Sequence, residues 1–156
     1  MPVLKPVHLL SEPLMYSNIL LAEDNDDDVV LMRHGFELAK LTVALHHVQN
    51  GQQCMEFLHK KGAFSDAPTP DIVQLDLNMP IMSGREVLAE MVADPKLQHI
   101  PVVILTTSAE DRDILAMYKL RCSSYIVKPV DFDQFLRVIR GIGDYWLTIV
   151  VLPKQG

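Results

Sequence analysis

The 156-residue chain has the size of a single domain, and with 49% hydrophobic and 22% charged residues it can build a core rather than remain a disordered tail. Fourteen Lys plus Arg against twenty Asp plus Glu give a net charge of −6 with no basic run, which argues against nucleic acid or an anionic membrane as partner. Cys54 and Cys122 lack companions at metal-ligand spacing, no stretch reaches the roughly 20 apolar residues of a membrane helix, and residues 1–16 show no signal-peptide core, so a cytoplasmic protein with reduced, buried thiols is expected.

In chain order, MPVLKPVHLLSEPLMY (1–16) carries three prolines and reads as an N-terminal extension. Asn18–Ala22 is short, apolar and followed by acids, as a buried strand is, and the acids open a helix carrying Val29, Val30, Met32, Phe36 and Leu38. Thr42–Val48 predicts a second strand, Gln52–Lys60 a helix, and Asp71–Asp76 a third strand after the loop AFSDAPTP. Gly84–Ala93 predicts a third helix, Pro101–Leu105 a strand, Glu110–Leu120 a fourth helix and Ser124–Val127 a fifth strand. The last helix starts at an Asp131 N-cap and continues through Phe132, Phe135, Leu136, Val138 and Ile139. Strands alternating with helices need right-handed crossovers and a sheet covered on both faces. The expected architecture is therefore α/β, a doubly wound five-stranded parallel sheet.

Such sheets bind ligands at the carboxyl ends of their strands. Here those ends carry Glu23 and Asp24, then Asp76, Thr106 and Lys128. Three carboxylates in a partly desolvated cleft repel one another, so either one takes up a proton or a cation enters, and a hard ion such as Mg²⁺ suits oxygen donors. Beside a metal, Asp76 can also attack phosphorus and become an aspartyl phosphate. Lys128 would then set an ammonium, and Thr106 a hydroxyl, against the phosphoryl oxygens. No general base is needed, because the nucleophile is already ionised.

Four motifs, LLAEDN (20–25), LDLNMPIMSGREVL (75–88), PVVILTTS (101–108) and SYIVKPVD (124–131), stand in the order found in two-component response-regulator receiver domains, and residues 18–140 resemble that family. The resemblance implies a flavodoxin-like (βα)5 receiver over residues 17–140, in which Asp76 accepts a phosphoryl group from a phosphohistidine of a sensor histidine kinase. It implies Mg²⁺ held by Asp24, Asp76 and the backbone carbonyl of Asn78, with Glu23 acting through water. It also implies that Lys128 pairs with the phosphoryl group and precedes a cis bond to Pro129, and that Thr106 and Tyr125 form a switch pair read out on the face of the fourth helix, fifth strand and fifth helix. Such a protein is no enzyme toward other molecules, although it catalyses its own phosphorylation and dephosphorylation. The tail GIGDYWLTIVVLP is similar to that of stand-alone receivers associated with bacterial phytochromes, which implies a light-sensing kinase as donor and a homodimer formed through residues 141–156.

Taken by itself, the apolar stripe Tyr145–Leu152 either folds over its own domain or forms an interface; an interface independent of phosphorylation is expected. The 16 residues before Ser17 and the 16 after Arg140 are too few for a helix-turn-helix unit, so output through protein contact is expected. Thr107 stands where many receivers have Ala or Gly, and Gln74 interrupts an apolar strand on the same face as Asp76, where a satisfied core side chain is expected. Asn78 and Ser108 occupy positions to which the phosphate lifetime is expected to be sensitive. Asp26, Asp27 and Asp28 read as first-turn helix acids, His46 and His47 as a strand end beside solvent, and His34, His59 and His99 as surface residues. A dehalogenase-like phosphatase would carry a second acid where Asn78 stands, and a flavin carrier would meet a phosphate-repelling acidic loop. A scaffold without chemistry leaves the set Glu23, Asp24, Asp76, Thr106 and Lys128 unexplained.

Overall fold

The structure, a computed structural model, describes residues 17–39 and 42–154; the expected extension over residues 1–16 lies outside them. The five apolar runs become β1 (Ser17–Ala22), β2 (Val43–Val48), β3 (Ile72–Leu75), β4 (Val102–Thr106) and β5 (Ser124–Val127). They pair in parallel in the order β2-β1-β3-β4-β5, so the chain reverses its winding between β1 and β3, where this topology opens a crevice. The helices are α1 (Asp26–Leu38), α2 (Gly51–Leu58), α3 (Gly84–Ala93), α4 (Asp111–Lys119) and α5 (Phe132–Asp144).

Local chemistry sets the helix boundaries. Asn25, not one of the acids, caps α1 by accepting the Asp28 N–H at 3.1 Å. Ser83 and Glu86 close a reciprocal capping box on α3, and Asp131 accepts the Gln134 N–H at 2.9 Å, as its sequence position predicts. The second helix stops two residues short of the expected Lys60, because Lys60 adopts a left-handed φ of 57° that ends the helical path. The fourth strand runs one residue further than expected, which brings Thr106 into register with Val127.

Successive strand residues point to opposite faces, and each face is covered. On one side Leu20, Ala22, Val73, Leu75 and Ile104 pack with Cys54, Phe57, Leu88, Met91 and Met117. On the other Ile19, Leu21, Val103 and Leu105 pack with Met32, Phe36, Phe135 and Ile139. Both cysteines are buried free thiols, and burial pushes the Cys54 thiol up to about 12. Among the described residues no helix is long and apolar enough to cross a membrane.

Beyond α5 the chain makes one π-helical turn, Tyr145–Ile149, closed by the Val150 N–H on the Tyr145 carbonyl at 2.9 Å. Trp146 and Leu147 fold onto the core layer beside α5, whereas Tyr145, Ile149 and Val151 remain exposed. The tail thus covers its own domain with one side and presents an apolar edge with the other.

Candidate functional site

Parallel strands that start at one pole all finish at the other, and that pole collects the polar strand ends. Glu23 and Asp24 follow β1, where the Glu23 N–H bonds the Val48 carbonyl at 3.0 Å. Asp76 follows β3 with its N–H on the Ala22 carbonyl at 3.0 Å. These backbone bonds set the two strand ends side by side, and carboxylate oxygens of Glu23, Asp24 and Asp76 lie within 4.8 Å of one another. Glu23 and Asp76 are buried and Asp24 is exposed. An all-oxygen, mixed buried and solvated set of this spacing suits a hard divalent cation that keeps some of its water.

The loop after Asp76 is drawn tight. The Gly84 N–H donates to the Leu77 carbonyl at 2.9 Å, and a Cβ at Gly84 would stand 2.1 Å from the Asp76 carbonyl oxygen. Ile81 is held at φ 70°, a conformation that costs a β-branched side chain on the order of 1–3 kcal/mol. The Asn78 N–H reaches the Asp76 Oδ1 at 3.4 Å.

Lys128 enters from the end of β5, its N–H on the Thr106 carbonyl at 2.7 Å. Its Nζ stands 2.7 Å from Glu23 Oε1, 2.9 Å from Asp28 Oδ2 and 3.7 Å from Asp76 Oδ2. Burial raises the Glu23 carboxyl to about 7 against the lowering effect of its Lys128 hydrogen bond. Burial also pulls the Lys128 ammonium down, but its bonds to Glu23 and Asp28 and the charge of Asp76 outweigh this and leave it raised. The ammonium reaches all three acids with the Lys128–Pro129 bond trans, so the expected cis bond is not found; a bond before proline favours trans by only about 0.5–1 kcal/mol and takes whichever form its surroundings hold.

Three other expectations change. Asp28 is more than a helix-terminus acid: from the first turn of α1 it turns back onto Lys128. The histidine pair is half-buried rather than beside solvent, because His46 packs its ring 5.3 Å from Phe57 with Nε2 3.0 Å from Asn18 Oδ1, and His47 Nε2 donates to the Glu23 carbonyl at 2.7 Å. Burial, then the charge of Arg33, lowers the pKa of His46. Gln74 lies in the core with its Nε2 3.3 Å from Met32 Sδ, but its Oε1 has no hydrogen-bond partner, so it is only half satisfied. His34, His59 and His99 are exposed as expected.

Thr106 is fully buried, and its Oγ1 accepts a long bond, 3.5 Å, from the Ser108 N–H. Tyr125 donates its hydroxyl to the Ser108 carbonyl at 2.9 Å. Ser108 in turn donates to Asp113 Oδ2 at 2.6 Å, and Asp113 Oδ1 accepts from Arg85 at 2.9 Å. The loop after β4 is thereby tied to the first turns of α3 and α4 and to β5, a network that no sequence motif announces. A cleft of about 280 Å³ opens beside the acids, with Asp28, Thr107 and Lys128 in its lining and Val130 and Phe132 at its exposed side.

A family profile described as the response regulator receiver domain matches residues 19–140. The response regulator Rcp1 of Synechocystis sp. is 37% identical over 135 residues, which span 86% of this chain and 92% of that protein. Among solved structures, the phosphorylated cyanobacterial phytochrome response regulator RcpA superposes with a TM-score of 0.87 at 36% identity, over 90% of this chain and all of that one. The Mn²⁺-bound form of Rcp1 gives 0.85 at 36% identity, over 88% and 99%. The solved relatives share this five-stranded fold, and the chain belongs to the response regulator receiver domain family, as a relative of cyanobacterial phytochrome response regulators.

Proposed function

We propose that residues 17–140 form a phosphoryl-accepting receiver in which Asp76 takes a phosphoryl group from a phosphohistidine of a phytochrome-type sensor histidine kinase. The observation that carries this reading is the burial of the Asp76 carboxylate at the end of β3, 3.7 Å from the Lys128 ammonium and within 4.8 Å of two further carboxylates. Asp24, Asp76 and the backbone carbonyl of Asn78 would hold Mg²⁺. Glu23, already bonded to Lys128 and to the Asn25 N–H at 3.2 Å, would act through water. When bound, the ion supplies charge neutralisation to the phosphoryl oxygens.

The protein's own groups do the rest. Asp76 supplies the nucleophilic carboxyl group at the end of its strand, Lys128 supplies a buried positive charge, and Thr106 supplies a hydroxyl donor. Thr106 and Tyr125 both touch Ser108, so rotation of the Thr106 hydroxyl toward a phosphoryl group loosens the loop on which the Tyr125 hydroxyl rests. That couples the site to α4 and β5, part of the face of α4, β5 and α5 through which the signal would pass to another protein. The exposed edge of Tyr145, Ile149 and Val151 would pair two copies through the tail, residues 141–156.

Intact mass after incubation with acetyl phosphate tests the central step. One phosphate is expected on the wild type with Mg²⁺, and none without the metal or on Asp76→Asn. A wild type that stays unmodified under conditions that modify a control receiver removes the reading.

A further inference from the structure

Lys128 has two short partners, Glu23 at 2.7 Å and Asp28 at 2.9 Å, and its distance to Asp76, 3.7 Å, is the longest of the three. Glu23 belongs to the acidic trio at the strand ends. Asp28 does not: it reaches in from the first turn of α1, placed by the Asn25 cap that takes its backbone N–H. Its side chain is about one-fifth exposed, at the lining of the cleft beside Lys128 and Thr107. The ammonium therefore sits closer to Glu23 and to Asp28 of α1 than to the acceptor carboxylate, which it still reaches.

We infer that Asp28 is a positioning residue that holds Lys128 back from Asp76 and hands it over as a phosphoryl group arrives, thereby slowing phosphorylation. The inference rests on the phospho-acceptor reading above. In transfer from acetyl phosphate an Asp76 carboxylate oxygen forms a bond to phosphorus while the bond from phosphorus to the acetate oxygen breaks, its electron pair leaving with acetate. No proton has to move. The single charge of the carboxylate becomes about two charges on the phosphoryl oxygens, so the pull on Lys128 from that side grows during the step, and it grows against Asp28. An ammonium that must leave a carboxylate partner stabilises the transferring group less than one that is free to move. Removing that partner's charge, with its shape kept, releases the ammonium.

The test is a double-mutant cycle on the full chain, following phosphorylation by acetyl phosphate with Mg²⁺. Asp28→Asn is expected to accept phosphate about tenfold faster than wild type. Asp28→Glu, which restores the charge, should return to within about twofold of wild type. In a Lys128→Gln background, slow in itself, adding Asp28→Asn should change the rate by less than about twofold, since Asp28 acts through the ammonium and its own field at the cleft is screened by water. Equal acceleration in both backgrounds would make Asp28 only a repelling charge at the mouth and overturn the inference. So would an unchanged or slower Asp28→Asn protein that unfolds at the wild-type temperature. A wild type that takes no phosphate on Asp76 removes the phospho-acceptor reading and this inference with it, whereas a phosphorylated wild type with an indifferent Asp28→Asn removes the inference alone.

Discussion

At the scale of single residues the site is governed by what burial does to charge. Glu23 is buried beside Lys128, and its carboxyl titrates near 7 instead of 4.5. The folded protein then keeps a proton that the unfolded chain releases between those values. This contribution to stability is whole below about pH 4.5 and is lost as the pH rises through about 7. In metal-free protein, urea denaturation at about pH 5 and about pH 8 is expected to show a larger loss for wild type than for Glu23→Gln, by on the order of 2 kcal/mol. Equal losses would mean that Glu23 ionises as an exposed carboxyl does. Gln74 poses the opposite case, a neutral polar group whose Oε1 is buried without a partner. Gln74→Met keeps the volume and removes the orphaned oxygen, so denaturation should show a gain of about 1 kcal/mol. A loss of that size would mean that the oxygen has a partner such as a buried water.

At the scale of elements, α1 and α5 lie side by side on one face of the sheet and touch at Gly35. A Cβ there would stand 2.6 Å from Ile139 Cγ2 and 2.7 Å from Ile139 Cβ. Alanine in place of glycine would by itself favour the helix by about 1 kcal/mol, so the sign of the change reports the packing. Gly35→Ala is expected to destabilise by about 1–3 kcal/mol in chemical denaturation, because Ile139 is fully buried and cannot withdraw. A gain would show that the two helices separate freely. The elements themselves were legible from periodicity: α3 and β5 fall where the apolar pattern predicts them, the other ends coincide or lie within two residues, and α5 runs to Asp144, five residues beyond Ile139, the last residue the pattern placed on it. Those differences have local causes, such as the left-handed Lys60, that hydrophobic spacing does not encode.

For the whole molecule, a domain of net charge −6 buries two layers of apolar side chains and still leaves Tyr145, Ile149 and Val151 in water. An apolar edge of this kind continues beyond a complete core, so covering it with a second copy would stabilise both copies in either phosphorylation state. Light scattering is expected to show a dimer before and after phosphorylation, and a monomer for Tyr145→Ser with Ile149→Ser. A wild-type monomer before phosphorylation would refute a constitutive interface.

The sequence by itself determined the order of strands and helices, the two-sided sheet, and the gathering of Glu23, Asp24, Asp76, Thr106 and Lys128 at one pole. Those follow from hydrophobic period and from the geometry of parallel crossovers, both of which are local or topological. The tertiary structure alone decided which acid holds which base. The pairing of Lys128 with Asp28 joins residues 100 apart, and the route from Arg85 through Asp113 and Ser108 to Tyr125 joins two helices, a loop and a strand. It also decided that His46 and His47 turn inward and that the tail divides between core and surface. Such contacts depend on side-chain direction and on distances across packed elements, and the order of residues along one chain does not carry them.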